Sequence, residues 1–435
     1  MSRLERLDPW VTGGLLLLLA VVAVSNALTY EPVRGFDAER YIEYTEDLVE
    51  TRELPTEGAT YTPPGFFVLA ALTTRAGEAA GVDPAERGTL LLNAAVLVLT
   101  AVLVLVLARL LFPRRPVAQW AALAFFVSLP LVLKSGAMFH PQPLAMLLTT
   151  AALAVATWMI VRRSYRWQGW VALALLLGAA QLVRSAAVWA ALAVAVGLFA
   201  AGIASARRLS RFALRFGLAA AAALLVALPW YAHVARDSAS AIFGTDAYGA
   251  IPLQDRWPAA FYVSAALPDV VTAPHRESLP RRFWALLYAD TWGDYFGSWA
   301  WGGPDERTAG EAEPRLQVQS VAGLLPTALA GAGWFALLLS LRRHWRERPE
   351  RILAVLLPAA GLAAVLLYAI RVPAADGDTV KAIFLLPAVP AWAVCFGFAV
   401  AVLVERFPRG GAAAAAIAAA AGVTSVAFGT YALVS

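Results

Sequence analysis

Long apolar runs recur along the whole chain, and they constrain the fold more than any other feature. Each run is roughly 20 residues long, the length that a helix needs to cross the hydrocarbon core of a bilayer. The 435 residues are 60% hydrophobic and only 15% charged, whereas a water-soluble domain of this size needs a more polar surface. The sequence therefore predicts an all-α polytopic membrane protein with about eleven transmembrane helices.

The predicted spans cover the chain from end to end, so residues 1–435 are taken as a single transmembrane domain. The first run is too long for the apolar core of a signal peptide, and we expect it to be retained as a helix. The fifth and sixth spans are short, and the boundary between them is placed at Arg184. The spans are residues 10–30, 89–112, 117–134, 142–161, 168–184, 187–205, 213–230, 317–340, 352–371, 382–404 and 411–433.

The charges between the spans predict the orientation in the membrane. If the N-terminus is cytoplasmic, 19 Lys and Arg residues but only five Asp and Glu residues lie inside. The inside then carries a net charge of +14 and the outside −9, which agrees with the positive-inside rule. We predict a multi-pass protein of the plasma or inner membrane. The overall charge of +5 is explained by this topology, so no nucleic-acid partner is expected. The predicted neighbours are membrane lipids.

Residue content disfavours several kinds of site. The one cysteine, Cys395, lies inside a predicted span, and the four histidines are scattered. We therefore expect neither a disulfide nor a dense metal cluster, and we predict no cofactor. The cytoplasmic loops are short and basic, without a Walker A loop or a GxGxxG motif. An ATP-driven pump, or a nucleotide-sugar enzyme with a cytoplasmic domain, is disfavoured for that reason.

Two predicted external segments, residues 31–88 and 231–316, carry most of the polar residues. The first contains "AERYIEYTEDLVE", whose apolar and acidic residues alternate with the spacing of an amphipathic helix on the membrane surface. The apolar part of "PPGFFVLAALTTRAG" is too short to span and predicts a second interfacial helix begun by the proline pair. The second segment, the large loop between the seventh and eighth helices, is rich in Trp, Tyr, Pro and Gly.

Four cations lie at the predicted external ends of spans. The two lysines, Lys134 and Lys381, stand out because the chain otherwise uses arginine; Arg184 and Arg371 occupy comparable positions. Such cations could hold a lipid phosphate through charge-assisted hydrogen bonds, or they could simply snorkel to the headgroups. Lys381 enters a span directly after an acidic turn, which is costly unless the lysine is paired and favours a functional role.

Asp37 precedes the amphipathic helix and has two explanations. Its carboxylate could accept hydrogen bonds from the first backbone amides of the helix as an N-cap. The fuller capping box is absent, because Arg40 stands where Glu or Gln would be needed. The carboxylate could instead take part in chemistry at the membrane surface. The residue pattern alone leaves both explanations open.

Other polar residues in these loops could bind a sugar. His140 and Gln142 open the fourth span, either as a hydrogen-bonding helix start or as ligand-binding groups. In the large loop, aromatic faces that stack on pyranose rings alternate with carboxylates that accept from hydroxyl groups, unless this is only an aromatic interfacial turn. The residues in that segment are Tyr288, Asp290, Trp292, Asp294 and Tyr295.

The order of these features resembles the GT-C superfamily of polytopic glycosyltransferases. An early Asp in the first external loop is followed by "YIEY", "LP" and "PPGFF", and later by "PWYAHV", "WGDYFGSW" and "VKAIFLLPAVPAW". The chain is most similar to the protein-mannosyltransferase-like and aminoarabinose-transferase-like branches. The resemblance extends over essentially the whole chain, although each motif is short. It departs from many relatives at Thr62, before the proline pair, and at His140 or Gln142, where an acid is common.

The resemblance implies a reaction. A sugar would move from a polyprenyl-phosphate-sugar donor to a hydroxyl of a lipid, glycan or protein acceptor, at an extracytoplasmic active site and with inversion. Asp37 would be the general base, and Lys381 with Arg371, helped by Lys134 or Arg184, would bind the donor phosphate without a metal. The candidates for holding sugar or acceptor are Glu57, Tyr61, His140, Gln142, Tyr288, Asp290, Trp292, Asp294 and Tyr295.

Two other classes of protein remain as alternatives. A flippase or transporter for a lipid-linked sugar would also carry external cations and many helices. It would need polar residues at the middle of the membrane and broken helices, ideally in internal repeats. The predicted spans are nearly free of charge in their middles, and no repeat is detected. Composition leaves a non-catalytic membrane assembly protein open as well.

Overall fold

The computed structural model describes residues 3–51, 62–205, 208–237, 257–276, 278–297, 299, 309–372 and 380–434. Most of these residues are helical, and no strand occurs in the ranges just given. Two 3-10 segments, Ser185–Ala187 and Ala382–Ala388, interrupt the helices. The α-helices are α1 (Arg3–Thr29), α2 (Ala38–Glu50), α3 (Gly65–Ala79), α4 (Arg87–Leu111), α5 (Pro116–Ser128), α6 (Pro130–Ala137), α7 (Gln142–Val161), α8 (Trp167–Val183), α9 (Val188–Ser205), α10 (Leu209–Asp237), α11 (Ala259–Val263), α12 (Leu267–Thr272), α13 (Phe283–Trp292), α14 (Ala309–His344), α15 (Arg351–Arg371), α16 (Val389–Arg406), α17 (Pro408–Phe428) and α18 (Tyr431–Val434).

The prediction of an all-α polytopic membrane protein is confirmed. Within the described residues, nine helices are long and apolar enough to cross a membrane, and the bent pair α5–α6 makes a tenth span. The remaining predicted span is the shorter apolar helix Trp167–Val183. All eleven predicted segments are therefore helical. The predicted break at Arg184 is present as the 3-10 turn Ser185–Ala187.

Three predicted spans differ from the structure, and proline explains two of the differences. The span predicted as 117–134 is bent by 49° between α5 and α6, where Pro130 cannot donate a backbone hydrogen bond to the preceding turn. The span predicted from residue 382 begins with the 3-10 segment, which contains Pro387, before α16 starts at Val389. Helix α10 continues to Asp237, past the predicted end at residue 230, because a helix need not end where the apolar residues do.

Helix α16 is the centre of the bundle. It packs against α5, α14 and α17, and 83% of its span residues are buried, compared with 11% for α10 at the periphery. Glycines allow close helix contacts, as at Gly333, which lies against the Cys395 carbonyl. Small residues serve this purpose in membrane bundles because the hydrophobic effect does not drive helix association in lipid.

Helices α2 and α3, which lie between α1 and α4 in the chain, pack against each other, and α3 packs on α4. Pro64 is the N-cap of α3, as the proline pair predicted, and α3 is too short to cross the membrane. The buried face of α2 packs on α3 through Tyr44 and Phe67, whose ring centroids are 4.1 Å apart. Helix α3 is joined to α4 by a 2.9 Å hydrogen bond between the hydroxyls of Thr73 and Thr89. This packing fixes the start of α2, and therefore Asp37.

Candidate active site

Asp37 holds a backbone conformation that is unusual for a residue with a side chain. It is the N-cap residue of α2, with φ 58° and ψ 17° in the left-handed region, and its side chain makes no capping hydrogen bond. Asp and Asn are the residues that best tolerate this region, yet it costs roughly 1–2 kcal/mol. The N-cap explanation is therefore right about the position and wrong about the hydrogen bond. The Asp37 side chain is 43% exposed, and its carboxylate accepts no capping hydrogen bond from α2.

Lys381 reaches the Asp37 carboxylate from the other end of the chain. Its Nζ lies 3.9 Å from Asp37 Oδ2, and its side chain is only 13% exposed. The ammonium also lies 4.9 Å from the ring centroid of Phe36, in cation–π contact. Phe36 is held edge-on against Phe296, with ring centroids 5.1 Å apart. The first and last predicted external loops therefore meet at a carboxylate and an ammonium.

Arg184 is a second cation next to this pair. Its Nη1 donates to the Tyr41 hydroxyl at 2.9 Å and more weakly to Thr62 Oγ1 at 3.4 Å. Its guanidinium lies 5.9 Å from the ring centroid of Phe384, in the 3-10 segment after Lys381. Arg184 thus joins the end of α8 to α2 and to the chain that enters α3. Burial raises the pKa of Tyr41 despite the neighbouring guanidinium, so the phenol stays protonated.

His140 and Gln142 lie beside the same residues. The His140 Nδ1 accepts the Gln142 backbone N–H at 3.1 Å, which is the hydrogen-bonding helix start predicted as one of two alternatives. The His140 ring contacts Tyr41 edge-on, with centroids 5.3 Å apart. Burial, and then the charges of Arg184 and Lys381, lower the pKa of His140 well below its usual value, so the ring is neutral. Both amide atoms of the buried Gln142 lack a hydrogen-bond partner among the described residues.

Three predicted site residues are not seen in contact with this cluster. Arg371 is the last residue of α15 and is exposed, and its guanidinium makes no ion pair with any residue that the structure describes. Glu57 and Tyr61 lie outside the described residues. Their roles in phosphate, sugar or acceptor binding stay predictions.

Lys134 is occupied elsewhere. It is 3% exposed, and its Nζ donates to the carbonyl oxygens of Asp290 at 3.0 Å and Gly293 at 2.6 Å. The Asp290 carboxylate, also buried, lies 3.5 Å from the same ammonium through Oδ1. Its Oδ2 accepts the backbone N–H of Ala382 at 2.6 Å. These contacts account for both residues without a bound phosphate or sugar.

The alternating aromatic and acidic residues of the large loop do not converge on one surface. Tyr288 and Trp292 are one turn apart on α13, and their polar atoms bond the Ser320 carbonyl and the Thr327 hydroxyl of α14. Asp290 lies two residues from each, and therefore points to the other side of the helix. Asp294 accepts the Trp299 backbone N–H at 2.7 Å.

Tyr295, beyond the end of α13, is 1% exposed and packs edge-on against Phe296, with ring centroids 4.9 Å apart. Within α13, the helical repeat therefore places the Asp290 carboxylate away from the rings of Tyr288 and Trp292. A role of this segment in sugar binding stays a prediction.

A mostly apolar cavity of about 320 Å³ lies between α13, α14 and the 3-10 segment. Its lining includes aromatic residues from three helices and Leu385, four residues after Lys381. None of the described residues that line it is charged. The lining residues are Phe125, Leu129, Leu131, Ala265, Leu267, Val270, Trp284, Leu287, Tyr288, Thr291, Trp292, Leu324, Thr327, Ala330, Gly331, Leu362, Leu385, Val389 and Trp392.

Sequence reasoning missed the residues that frame the cluster. Tyr41 lies in the predicted amphipathic helix "AERYIEYTEDLVE", but neither it nor Phe36 is among the predicted site residues. A tyrosine one turn after Asp37 on the same helix was an available signal, because residues four apart lie on one face.

No group of three His, Cys, Asp or Glu side chains that could hold a metal occurs in the described part of the chain.

Comparison with known proteins identifies the fold. No protein-family model and no curated protein matches the sequence. The archaeal oligosaccharyltransferase AglB from Archaeoglobus fulgidus, in complex with an inhibitory peptide and a dolichol-phosphate, superposes with a TM-score of 0.57 at 14% identity. The match covers 98% of this chain and 56% of AglB, so the chain spans about half the length of the archaeal enzyme.

A bacterial transferase has the same architecture. ArnT from Cupriavidus metallidurans matches in its apo state with a TM-score of 0.55 at 16% identity, over 97% of this chain and 78% of ArnT. Its complex with undecaprenyl phosphate matches with a TM-score of 0.54 at 18% identity, over 94% and 64% of the two chains. Both proteins are GT-C polytopic membrane glycosyltransferases. The chain therefore has the GT-C fold, as the order of its sequence features predicted.

Proposed function

We propose that the protein is a membrane glycosyltransferase that moves one sugar from a polyprenyl-phosphate-sugar to an acceptor hydroxyl at the extracytoplasmic face. One observation carries the proposal. The exposed Asp37 carboxylate, held in a left-handed conformation with no capping bond, faces Lys381 at 3.9 Å within a GT-C fold. Strained residues whose polar groups are unused by the fold occur preferentially at functional sites.

Asp37 is the general base of this reaction. Its carboxylate takes the proton of the acceptor hydroxyl as that oxygen bonds to the anomeric carbon. The bond between the anomeric carbon and the phosphate oxygen breaks, and its electrons leave with the polyprenyl phosphate. Attack opposite the leaving group inverts the configuration at the anomeric carbon.

Lys381 binds the phosphate of the donor, with Arg184 and Arg371 as further cations. Base and leaving group lie on opposite faces of the sugar, so Lys381 must move away from Asp37 when the donor enters. The flexible four-carbon stem of lysine permits this movement. The ammonium then neutralises the charge that develops on the departing phosphate, which is usually the largest electrostatic contribution to such a step.

A lipid-linked donor is supported by the apolar cavity. Leu385 and Val389 of its lining follow Lys381 in the same stretch of chain. A carrier lipid whose phosphate is held at Lys381 could place part of its chain among these side chains. The solved structures of AglB with dolichol-phosphate and ArnT with undecaprenyl phosphate support the same class of carrier.

The sugar and acceptor remain to be held by other residues. Gln142, with both amide atoms unpartnered, and His140 lie next to Arg184 and are proposed to bind a hydroxyl group. Glu57 and Tyr61 stay candidates from the sequence. The acceptor is a lipid, glycan or protein hydroxyl.

Transfer from a labelled donor tests the proposal. Membrane vesicles containing the protein are incubated with a panel of radiolabelled undecaprenyl-phosphate hexoses and pentoses, and label that leaves the lipid is measured. We expect turnover with at least one donor, and a loss of roughly 100- to 10,000-fold in Asp37→Asn. The matched control is Glu39→Gln, which alters an exposed carboxylate on the first turn of the same helix and should keep the wild-type rate.

Two results would contradict the proposal. Equal turnover by wild type and Asp37→Asn would rule out Asp37 as the base. Movement of intact donor between leaflets without release of label would identify a flippase. Mass spectrometry of lipid and sugar that co-purify with the protein narrows the donor panel beforehand.

A further inference from the structure

A buried network of α6, α13 and the 3-10 segment ends at the residue next to Lys381. One oxygen of the Asp290 carboxylate accepts a hydrogen bond from the Ala382 amide at 2.6 Å, and the other oxygen lies 3.5 Å from the Lys134 ammonium. Both side chains of the pair are at most 4% exposed. The network is therefore outside the exposed cluster around Asp37 but in direct contact with the chain that carries Lys381.

Lys134 fixes Asp290 from the other side. Its ammonium donates to the carbonyls of Asp290 and Gly293, at the C-terminal end of α13. A cation there satisfies carbonyls that lack helical partners and interacts favourably with the helix dipole. The carboxylate of Asp290 is thus held in place by a residue of α6, and it in turn holds a backbone amide of the 3-10 segment.

The Ala382 amide is the first donor of the segment that follows Lys381. The flanking Val380 and Ala382 side chains are fully buried, so the backbone on both sides of Lys381 is anchored. Only the lysine side chain extends toward Asp37. The position of its ammonium therefore depends on where the Ala382 amide is held.

We propose that Asp290, oriented by Lys134, is a positioning residue for Lys381, holding the backbone so that the ammonium lies at the donor phosphate. This inference rests on the proposed function, because it assumes that Lys381 binds the phosphate. It assigns to Asp290 and Lys134 a role that does not require contact with sugar or lipid. The essential interaction is the hydrogen bond from the Ala382 amide, and the charge of Lys134 serves to hold its acceptor.

A pair of double variants isolates that hydrogen bond. Lys134→Met/Asp290→Asn removes both charges but keeps an oxygen that can accept the Ala382 N–H. Lys134→Met/Asp290→Leu removes both charges and the acceptor with a side chain of similar size. Neither leaves an unpaired buried charge, and such replacements of buried ion pairs are commonly tolerated. Each is compared by its Kd for undecaprenyl phosphate in detergent, with and without Lys381→Ala.

We expect the Asn variant to bind within about twofold of wild type and the Leu variant to bind roughly three- to tenfold more weakly, the range of one lost neutral hydrogen bond. Combined with Lys381→Ala, which itself weakens binding at least as much, the two variants should have equal Kd values. A merely structural role of Asp290 would give the same loss with or without Lys381. The control is Gln119→Leu on α5. It removes a buried side chain that donates to the Phe112 carbonyl at the end of α4, and it should leave Kd unchanged.

The outcomes separate this inference from the proposed function. Equal Kd values for the Asn and Leu variants when Lys381 is present would overturn the positioning role. A Leu-specific loss that persists in full with Lys381→Ala would overturn it as well. If Lys381→Ala alone leaves the Kd unchanged, Lys381 does not bind the phosphate, and the proposed donor site fails first.

Discussion

Two carboxylate–lysine pairs occupy neighbouring parts of the molecule, and they differ in how completely their polar atoms are used. In the buried pair, Lys134 and Asp290 are 3.5 Å apart, almost fully enclosed, and bonded to three backbone groups. In the open pair, Lys381 and Asp37 are 3.9 Å apart, and the Asp37 carboxylate is 43% exposed. Residue types are the same in both. A pair whose polar atoms are all bonded therefore organises the fold, whereas a pair with an exposed carboxylate is available to a ligand.

The largest expected effect is on the stability of the buried pair. Asp290→Ala leaves the Lys134 ammonium buried without a counter-charge, and we expect the free energy of unfolding to fall by roughly 3–5 kcal/mol. Asp37→Ala should change it by less than about 0.5 kcal/mol, because an exposed ion pair contributes little. Thermal or denaturant-induced unfolding of the protein in detergent measures the change in the free energy of unfolding for both variants. Equal losses in the two variants would remove the contrast between the pairs.

The frame around the open pair should show a smaller effect. Tyr41→Phe removes the hydroxyl that accepts from Arg184 at 2.9 Å, and a hydrogen bond to a charged group contributes about 1.5–3 kcal/mol. The matched control is Tyr44→Phe on the same helix, whose buried hydroxyl has no hydrogen-bond partner among the described residues. Its removal should be neutral or slightly stabilising. Thermal unfolding distinguishes the two, and a loss in the control as large as that in Tyr41→Phe would contradict the assignment.

The left-handed backbone conformation of Asp37, the acid of the open pair, can be tested by a third set of substitutions. Asp37→Gly and Asp37→Ala both lack the carboxylate, but only glycine adopts φ 58° without cost. We expect the Gly variant to be more stable than the Ala variant by about 1 kcal/mol, with both inactive in donor turnover. An Ala variant as stable as the Gly variant would show that the left-handed conformation is not maintained in the protein.

The helical segments could be predicted from the sequence because the length and apolar composition of each run determine whether it can form a membrane-spanning helix. The bend at Pro130 was missed because the apolar run continues through it, although proline at that place forbids a backbone hydrogen bond. The sugar-binding prediction for residues 288–295 treats the alternating residues of α13 as one surface. Two-residue spacing places Asp290 opposite Tyr288 and Trp292 once the segment is helical, and that conformation was not predicted.

The candidate site was only partly predictable for a different reason. Lys134 and Lys381 are both lysines at predicted external span ends. The acidic turn before Lys381 favours a function for it, but no local pattern shows which carboxylate either lysine meets. What separates them is tertiary: α13 supplies a carboxylate and two carbonyls to Lys134, whereas the start of α2 brings an exposed carboxylate to Lys381. Contacts between residues distant in sequence depend on how the whole bundle packs, and a single sequence does not contain them.

The smallest expected effect concerns acid. His140 contacts Tyr41 and is near Arg184 and Lys381, and burial and these two cations lower its pKa below the unfolded value of about 6.5. A group with a lowered pKa in the folded state stabilises the protein above the unfolded pKa. That contribution is lost as the pH falls below 6.5 toward the folded pKa, because the unfolded chain takes up the proton first.

We therefore expect wild type to lose roughly 1–3 °C more in Tm than His140→Asn between pH 7.5 and pH 5. The carboxylates titrate in both proteins and cancel in the difference. His344→Asn is the control and should follow wild type, because the His344 side chain is 51% exposed and its ion-pair partner among the described residues is Glu347. If His140→Asn loses as much Tm as wild type, His140 is not held neutral between the two cations. The open pair would then lack the positive surroundings that attract a phosphate.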